Sequence, residues 1–143
     1  MRASALIDTG AILAILRPRD VWHRPCADAL MKARVPLLTS EAVLTEVFHL
    51  IGTQRSNVEA AWRFVRSGAL TVGTITDADL AALAALMHRY HDRPMDFADA
   101  TLVHLAQRES LSTIFTVDIS DFQTYRVNGH KRFRILPGAT ALS

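Results

Sequence analysis

Short apolar segments alternate with helical segments along the 143 residues of the chain. The apolar segments are only a few residues long and are bounded by Gly, Pro or Asp, which is typical of buried strands. Parallel strands are buried on both faces, and each needs a crossover before the next, usually a helix. The pattern therefore predicts an α/β fold, a three-layer α/β/α sandwich with a mostly parallel central sheet of about five strands.

The boundaries of these elements follow from capping and breaking residues. The predicted strands are residues 3–7, 35–38, 70–75, 113–117 and 132–136. The predicted helices are residues 11–16, 20–33, 41 to about 54, 57–67, 76 to about 91, and 97 to about 109. Thr39 or Ser40 is expected to cap the third helix, and Ser56 or Asn57 the fourth. Without a repeat or a linker-like stretch, residues 1–143 are expected to form a single domain.

Composition excludes several classes of protein. Apolar residues make up 50% of the chain and charged residues 21%, which is typical of a folded globular protein rather than a disordered one. There is no run of about 18 apolar residues, so we do not expect a transmembrane helix. Asp8 interrupts the apolar N-terminal stretch and no small-residue cleavage site follows, so we do not expect a signal peptide. The single Cys26 cannot form an internal disulfide, which favours a cytoplasmic protein.

Four acidic residues lie where a parallel sheet would place a binding site. Asp8 and Asp118 each follow a predicted strand, and ligands bind beyond the carboxyl ends of such strands. Glu46 is about two turns into the helix after the second strand, and Asp99 is in the first turn of a later helix. Carboxylates packed together raise one another's pKa unless a cation is bound. Oxygen-only ligands suit Mg²⁺ or Mn²⁺, so these acids are candidate metal ligands.

Asp96 and Asp99 form a pair at the start of one predicted helix. They are three residues apart and therefore share one face of its first turn. Asp is a preferred N-cap residue, and capping is sufficient to explain Asp96. Asp99 lies inside the turn, where capping does not require it, so we expect Asp99 among the metal ligands.

Four segments carry a resemblance to a known family. They are Leu6–Ile7–Asp8–Thr9, Thr45–Glu46–Val47, Phe97–Ala98–Asp99–Ala100, and the segment from Phe115 to Phe122 (FTVDISDF). Their order and spacing extend over nearly the whole chain. Together they resemble the PIN domain and, within it, the toxin ribonucleases of VapBC-type toxin–antitoxin modules.

The resemblance implies an α/β/α sandwich, an acidic Mg²⁺ site and endoribonuclease activity, in which water activated at the metal cleaves an RNA phosphodiester bond. By position, the core acids are Asp8, Glu46 and Asp99, with Asp118 as the fourth; Asp121 is the alternative to Asp118, and Asp96 matches only as a neighbouring acid. Thr9 and Thr116 are candidates to position water or a phosphate oxygen. Gly10 departs from the family, whose members often carry a small polar residue beside the first acid.

The resemblance also implies partners. An antitoxin protein is expected to cover the acidic site and to place an Arg near the carboxylates. The candidates for contact with RNA phosphates are Arg17, Arg19, Arg24, Arg126, Lys131, Arg132 and Arg134, each with a solvated surface role as its alternative. A homodimer is expected, and the apolar faces of the helices at residues 42–51 and 57–67 are candidates to bind a second copy or a partner helix.

The residues leave other interpretations open. The same fold serves RNA processing outside toxin–antitoxin modules, and a non-catalytic RNA- or protein-binding module could retain the acids as remnants. Glu46–Val47–Phe48–His49 has the Glu-x-x-His spacing of di-iron proteins, but those sites need a second copy, which the sequence lacks. His88 and His91 are candidate metal ligands without an evident third ligand.

Overall fold

The computed structural model describes residues 2–93 and 95–138. The strands are β1 (Leu6–Ile7), β2 (Leu37–Ser40), β3 (Leu70–Gly73), β4 (Thr113–Phe115), β5 (Arg126–Val127), β6 (Lys131–Arg132) and β7 (Arg134–Leu136). Five of them form a parallel sheet in the order β3-β2-β1-β4-β7, and β5 and β6 form an antiparallel hairpin. The predicted parallel sheet of about five strands is confirmed.

Helices cover both faces of this sheet. They are α1 (Thr9–Leu16), α2 (His23–Lys32), α3 (Glu41–Ile51), α4 (Arg55–Val65), α5 (Leu80–Arg89), α6 (Phe97–Glu109) and α7 (Ile119–Thr124). The chain passes outward from β1 to β3 through α1 to α4, and then returns through α5 and α6 to β4. Because parallel crossovers are right-handed, the reversal places α1 to α4 on one face and α5 and α6 on the other. The strand order thus reverses between β1 and β4, which is where sheets of this kind bind ligands.

Helix α6 is part of the core and is buried along most of its length. Leu102, Val103 and Leu105 of this helix are fully buried, as are Leu6 and Ile114 of the two central strands. Fully burying one such side chain contributes about 1.5–3 kcal/mol, so this packing fixes α6 firmly against the sheet. The first turn of α6, which carries Asp99, is therefore held at a defined place beside the ends of β1 and β4.

Several boundaries differ from the predictions for local physical reasons. The predicted caps of α4 are wrong, because that helix begins at Arg55 after Gln54, which makes no side-chain capping bond. The predicted strand at 132–136 is divided into β6 and β7, and α7 and the β5–β6 hairpin were not predicted. The hairpin turns at Asn128 and Gly129, which both have positive φ angles, as a tight turn requires. Its strands are two residues long and show no periodicity.

The helix caps and exposed faces also bear on the predictions. The Ser40 side chain accepts a hydrogen bond from the Val43 amide, so its predicted role as the cap of α3 is confirmed. Leu50 of α3 and Trp62 of α4 are about half exposed, at 52% and 49%.

In the described ranges, no helix combines the length and the apolar character that crossing a membrane requires.

Candidate metal centre

Asp8 is held by two hydrogen bonds at the end of β1. It is the N-cap of α1, and its Oδ1 accepts from the Thr9 amide at 2.7 Å. Its Oδ2 accepts from Thr116 Oγ1 at 3.0 Å, and Thr116 Oγ1 in turn accepts from the Asp118 amide at 3.0 Å. Only 6% of Asp8 is exposed, and Thr116 is fully buried. The Thr116 hydroxyl therefore ties the ends of the two central strands together.

Glu46 joins this group through a second threonine. It lies in α3 and is half-buried, and its Oε1 accepts from Thr9 Oγ1 at 2.7 Å. The amide of the same threonine donates to Asp8. Thr9 therefore sets the position of one carboxylate relative to the other.

Asp99 enters from the opposite face of the sheet, in the first turn of α6. The Asp96 side chain caps this helix by accepting from the Asp99 amide at 2.8 Å. Asp99 Oδ2 accepts from the Tyr125 hydroxyl at 3.0 Å, and both residues are buried. The geometry gives the two acids different functions: Asp96 completes the helix start, and Asp99 is directed toward the other carboxylates.

Asp118 and Asp121 complete the cluster from the segment after β4. A carboxylate oxygen from each of Asp99, Asp118 and Asp121 lies within 4.8 Å of the other two. Asp118 is exposed and immediately precedes α7, while Asp121 is half-buried and bonded to Arg93 Nη1 at 3.0 Å. Both candidates for the fourth acid are thus at the site, and Arg93 neutralises part of the charge on Asp121.

The pKa values of three aspartates show how strongly the acids interact. Burial, opposed by bonds from Thr9 and Thr116, raises the pKa of Asp8 to about 6, and the charges of Asp118 and Glu46 add to the effect of burial. Burial and then the charges of Asp8 and Asp96 raise the pKa of Asp99 to about 8. Burial and then the neighbouring Asp121 raise that of Asp118 to about 6. Each carboxyl therefore resists ionisation while its neighbours are charged and no cation is present.

The donor set fits a hard divalent cation. Within the described residues, the group with metal-ligand spacing is Asp99, Asp118 and Asp121, and the predicted ligands Asp8 and Glu46 lie outside that spacing. Carboxylate oxygens are the ligands that Mg²⁺ and Mn²⁺ prefer. A bound cation would remove the repulsion that raises these pKa values. The electrostatics and the donor chemistry therefore agree on a divalent-metal site.

Gly10 is explained by its distance to the segment that carries Asp118. A Cβ atom at Gly10 would lie 2.5 Å from Val117 Cγ2, closer than a carbon–carbon contact allows. Val117 connects Thr116 to Asp118, and its branched side chain has little rotameric freedom. The glycine at position 10 thus leaves room for the segment that positions Thr116 and Asp118.

The histidines proposed from the sequence lie outside the group of aspartates with metal-ligand spacing. His49 is exposed on α3, and the rings of His88 and His91 stack at 5.8 Å outside the aspartate cluster. The Arg17 and Arg126 guanidinium groups donate to backbone carbonyls. Tyr125 and Arg93 were not identified from the sequence, because nothing in their neighbourhoods along the chain indicates the carboxylates that they contact.

Comparisons with known proteins agree with this geometry. Residues 5–127 match the model of the PIN domain family. The chain is 30% identical over 135 residues to Ribonuclease VapC26 of Mycobacterium tuberculosis, a match that covers 92% of this chain and 99% of that protein. Its fold is similar to that of M. tuberculosis VapC20, a sarcin–ricin loop cleaving toxin, with a TM-score of 0.70 and 20% identity over 82% of this chain and 94% of the other. The chain therefore belongs to the PIN domain family and is a nuclease of the VapC type.

Proposed function

We propose that this protein is a Mg²⁺-dependent endoribonuclease and the toxin of a toxin–antitoxin pair. The observation that carries the proposal is the metal-ligand spacing of Asp99, Asp118 and Asp121, beside which the charge of Asp8 is near enough to raise the pKa of Asp99. These acids come from separate segments and meet at the point where the strand order reverses. The name of the relative Ribonuclease VapC26 supports the same substrate class, and the structurally similar VapC20 is a sarcin–ricin loop cleaving toxin.

The acids divide into direct and supporting ligands. Asp8 and Asp99, the most buried of the group, would hold Mg²⁺ directly. Glu46 and Asp118 would orient the ion or bind a second one, with Asp121 as the alternative to Asp118. Mn²⁺ has the same ligand preference and should substitute.

The side chains supply positioning and charge, and none acts as a nucleophile. When bound, the divalent ion would supply Lewis-acid activation of water and neutralise charge on the phosphate. Thr116 and Thr9 hold the carboxylates in fixed orientations by donating to Asp8 and Glu46. Tyr125 holds one oxygen of Asp99, and the other oxygen would bind the ion. Fixed carboxylates lose little entropy when the ion and substrate bind, which favours catalysis.

Cleavage of RNA by carboxylate variants tests the proposal. Purified wild-type protein should cleave RNA with Mg²⁺ and not with EDTA, and Asp8→Asn or Asp99→Asn should abolish cleavage. Asp92→Asn makes the same chemical change at an exposed residue outside the aspartate cluster and should cleave like the wild type. Wild-type turnover by either active-site variant, with contaminating nuclease excluded, would show that these carboxylates do not carry the reaction.

The fourth acid can be identified by comparing two further variants. If Asp118 is the ligand, Asp118→Asn should lose more activity than Asp121→Asn, because Arg93 already engages the Asp121 carboxylate. The opposite order would assign the ligand to Asp121.

The toxin role predicts a protein partner that covers this negative site. An Arg from an antitoxin would pair with the carboxylates more favourably than a neutral group. Co-expression with the product of a small adjacent reading frame should give a stable complex without nuclease activity. Nuclease activity that this product leaves unchanged would favour a role in RNA processing.

A further inference from the structure

A groove outside the metal centre is lined by unpaired positive charges. The groove has a volume of about 960 Å³. Its floor is formed by Thr113 and Phe115 of β4 and their register partners Arg134 and Leu136 of β7, which alternate along the strands and so point to the same face. Its wall is one side of α2.

Four exposed cations line this groove. Arg24 and Lys32 lie eight residues apart on α2, about two turns, and therefore project from the same side of the helix. Arg34 follows the helix, and Arg134 projects from the floor. Between residues 2 and 93 and between 95 and 138, none of these four side chains forms an ion pair, and Asp28 is the single acid in the lining. Unpaired cations at this density indicate an anionic ligand.

The floor of the groove adjoins the metal centre. The Leu136 carbonyl accepts a hydrogen bond from the Thr116 amide at 3.0 Å, and the Thr116 hydroxyl holds Asp8. Phe115 lies three residues before Asp118 in the same segment. The wall from Arg24 to Lys32 is about 12 Å long at 1.5 Å per residue. Because Thr113 and Arg134 lie at the amino ends of their strands, the groove leads away from the metal centre toward the opposite edge of the sheet. A ligand that occupies the metal centre can enter the groove at its Phe115 and Leu136 end.

We propose that the backbone of single-stranded RNA lies along this groove while the phosphate to be cleaved is at the metal centre. The inference rests on the proposed ribonuclease function and assigns it a binding track. Proteins that bind single strands use such positively charged grooves to follow the backbone. The acids repel the phosphates of the substrate, and the four cations of the groove supply the compensating attraction along the rest of the strand.

A pair of charge-matched double variants tests the groove. Arg24→Gln with Arg134→Gln removes two groove cations, and Arg63→Gln with Arg66→Gln removes two exposed cations at the end of α4. The probe is a fluorescein-labelled single-stranded RNA of about 12 nucleotides, within the span that such grooves cover. Its anisotropy is measured in EDTA over a series of salt concentrations, and cleavage of the same RNA is measured with Mg²⁺.

The groove variant should bind the RNA at least about tenfold more weakly at low salt. The slope of the logarithm of its binding constant against the logarithm of the salt concentration should be smaller in magnitude by about 1.4, or about 0.7 for each lost phosphate contact. The α4 variant should retain most of the affinity. Equal losses in the two variants, or none in the groove variant, would refute the track while leaving the ribonuclease function intact if the wild type still cleaves.

Two further outcomes also overturn the proposal. If the wild type neither binds nor cleaves RNA, the ribonuclease function itself fails. If the groove variant binds RNA normally but no longer binds poly-glutamate, the groove is a site for an acidic polypeptide. The thermal stability shift on adding Mg²⁺ should be the same in the groove variant and the wild type, because the groove cations do not contact the metal-site acids.

Discussion

Replacing Asp8 with Asn should stabilise the metal-free protein. Asn has the same shape and is equally good as an N-cap, so α1 keeps its start while the buried charge is removed. The pKa of Asp8 is about 6 in the folded protein, against 3.8 as its ordinary value. Since the folded state binds the proton more tightly, ionisation of Asp8 destabilises the fold. The effect is full above about pH 6, becomes small at about pH 4 and disappears at lower pH, where both states are protonated.

The size of the effect follows from these two pKa values. Their difference corresponds to about 3 kcal/mol at a pH well above both. The side-chain amide of the introduced Asn would place an NH₂ group where the Thr116 hydroxyl now donates, so that hydrogen bond must rearrange. This rearrangement offsets about 1 kcal/mol of the gain. We therefore expect Asp8→Asn to raise the free energy of unfolding of the metal-free protein by about 2 kcal/mol at about pH 7.5. At about 2–4 °C per kcal/mol, Tm should rise by about 4–8 °C.

Thermal unfolding in EDTA at about pH 7.5 and about pH 4 measures this effect directly. Adding Mg²⁺ at about 100 times its Kd should stabilise the wild type by about 2.7 kcal/mol and the variant much less, because the variant lacks a ligand. Asp92→Asn is the control for the loss of a carboxylate at an exposed position. The electrostatic explanation is refuted if Asp8→Asn is less stable than the wild type in EDTA at the higher pH. It is also refuted if the substitution stabilises the protein equally at both pH values.

Three other substitutions probe the contacts around the acids. Gly10→Ala should lower the free energy of unfolding, measured in urea, by about 1–3 kcal/mol, and adding Val117→Ala should restore most of the lost stability. If the double variant is not rescued, the close contact between Gly10 and Val117 does not cause the loss. Tyr125→Phe should raise the pKa of Asp99 above about 8 in a carbon-13 NMR titration of the metal-free protein, because the lost hydrogen bond favours the ionised form; an unchanged pKa would contradict this. Thr116→Val should lower the free energy of unfolding by about 1–3 kcal/mol and weaken Mg²⁺ binding measured by calorimetry. Thr116→Ser keeps the hydroxyl and should retain both the stability and the Mg²⁺ affinity. Equal losses in the two variants would show that the hydroxyl is not responsible.

Local sequence patterns were sufficient for the order of the elements and for the position of most acids on them. The capping of α6 by Asp96 and of α3 by Ser40 depends on residues three positions apart, which the sequence shows directly. The acids after β1 and β4 were placed together because parallel strands bring their carboxyl ends to one edge of the sheet. Strand ends were less certain, since the two-residue strands of the hairpin carry no periodic signal.

The sequence by itself determined the α/β class, the alternation of the elements and the acids available to a metal, because these depend on periodicity, capping and residue chemistry. Tertiary structure alone decided which groups meet: Thr116 and Asp8 are 108 residues apart, and Tyr125 and Asp99 are 26 apart. It also decided that Asp118 and Asp121 both reach the centre. Such contacts depend on how α6, α7 and the strand ends pack against one another, and this packing is a property of the whole core rather than of any local stretch.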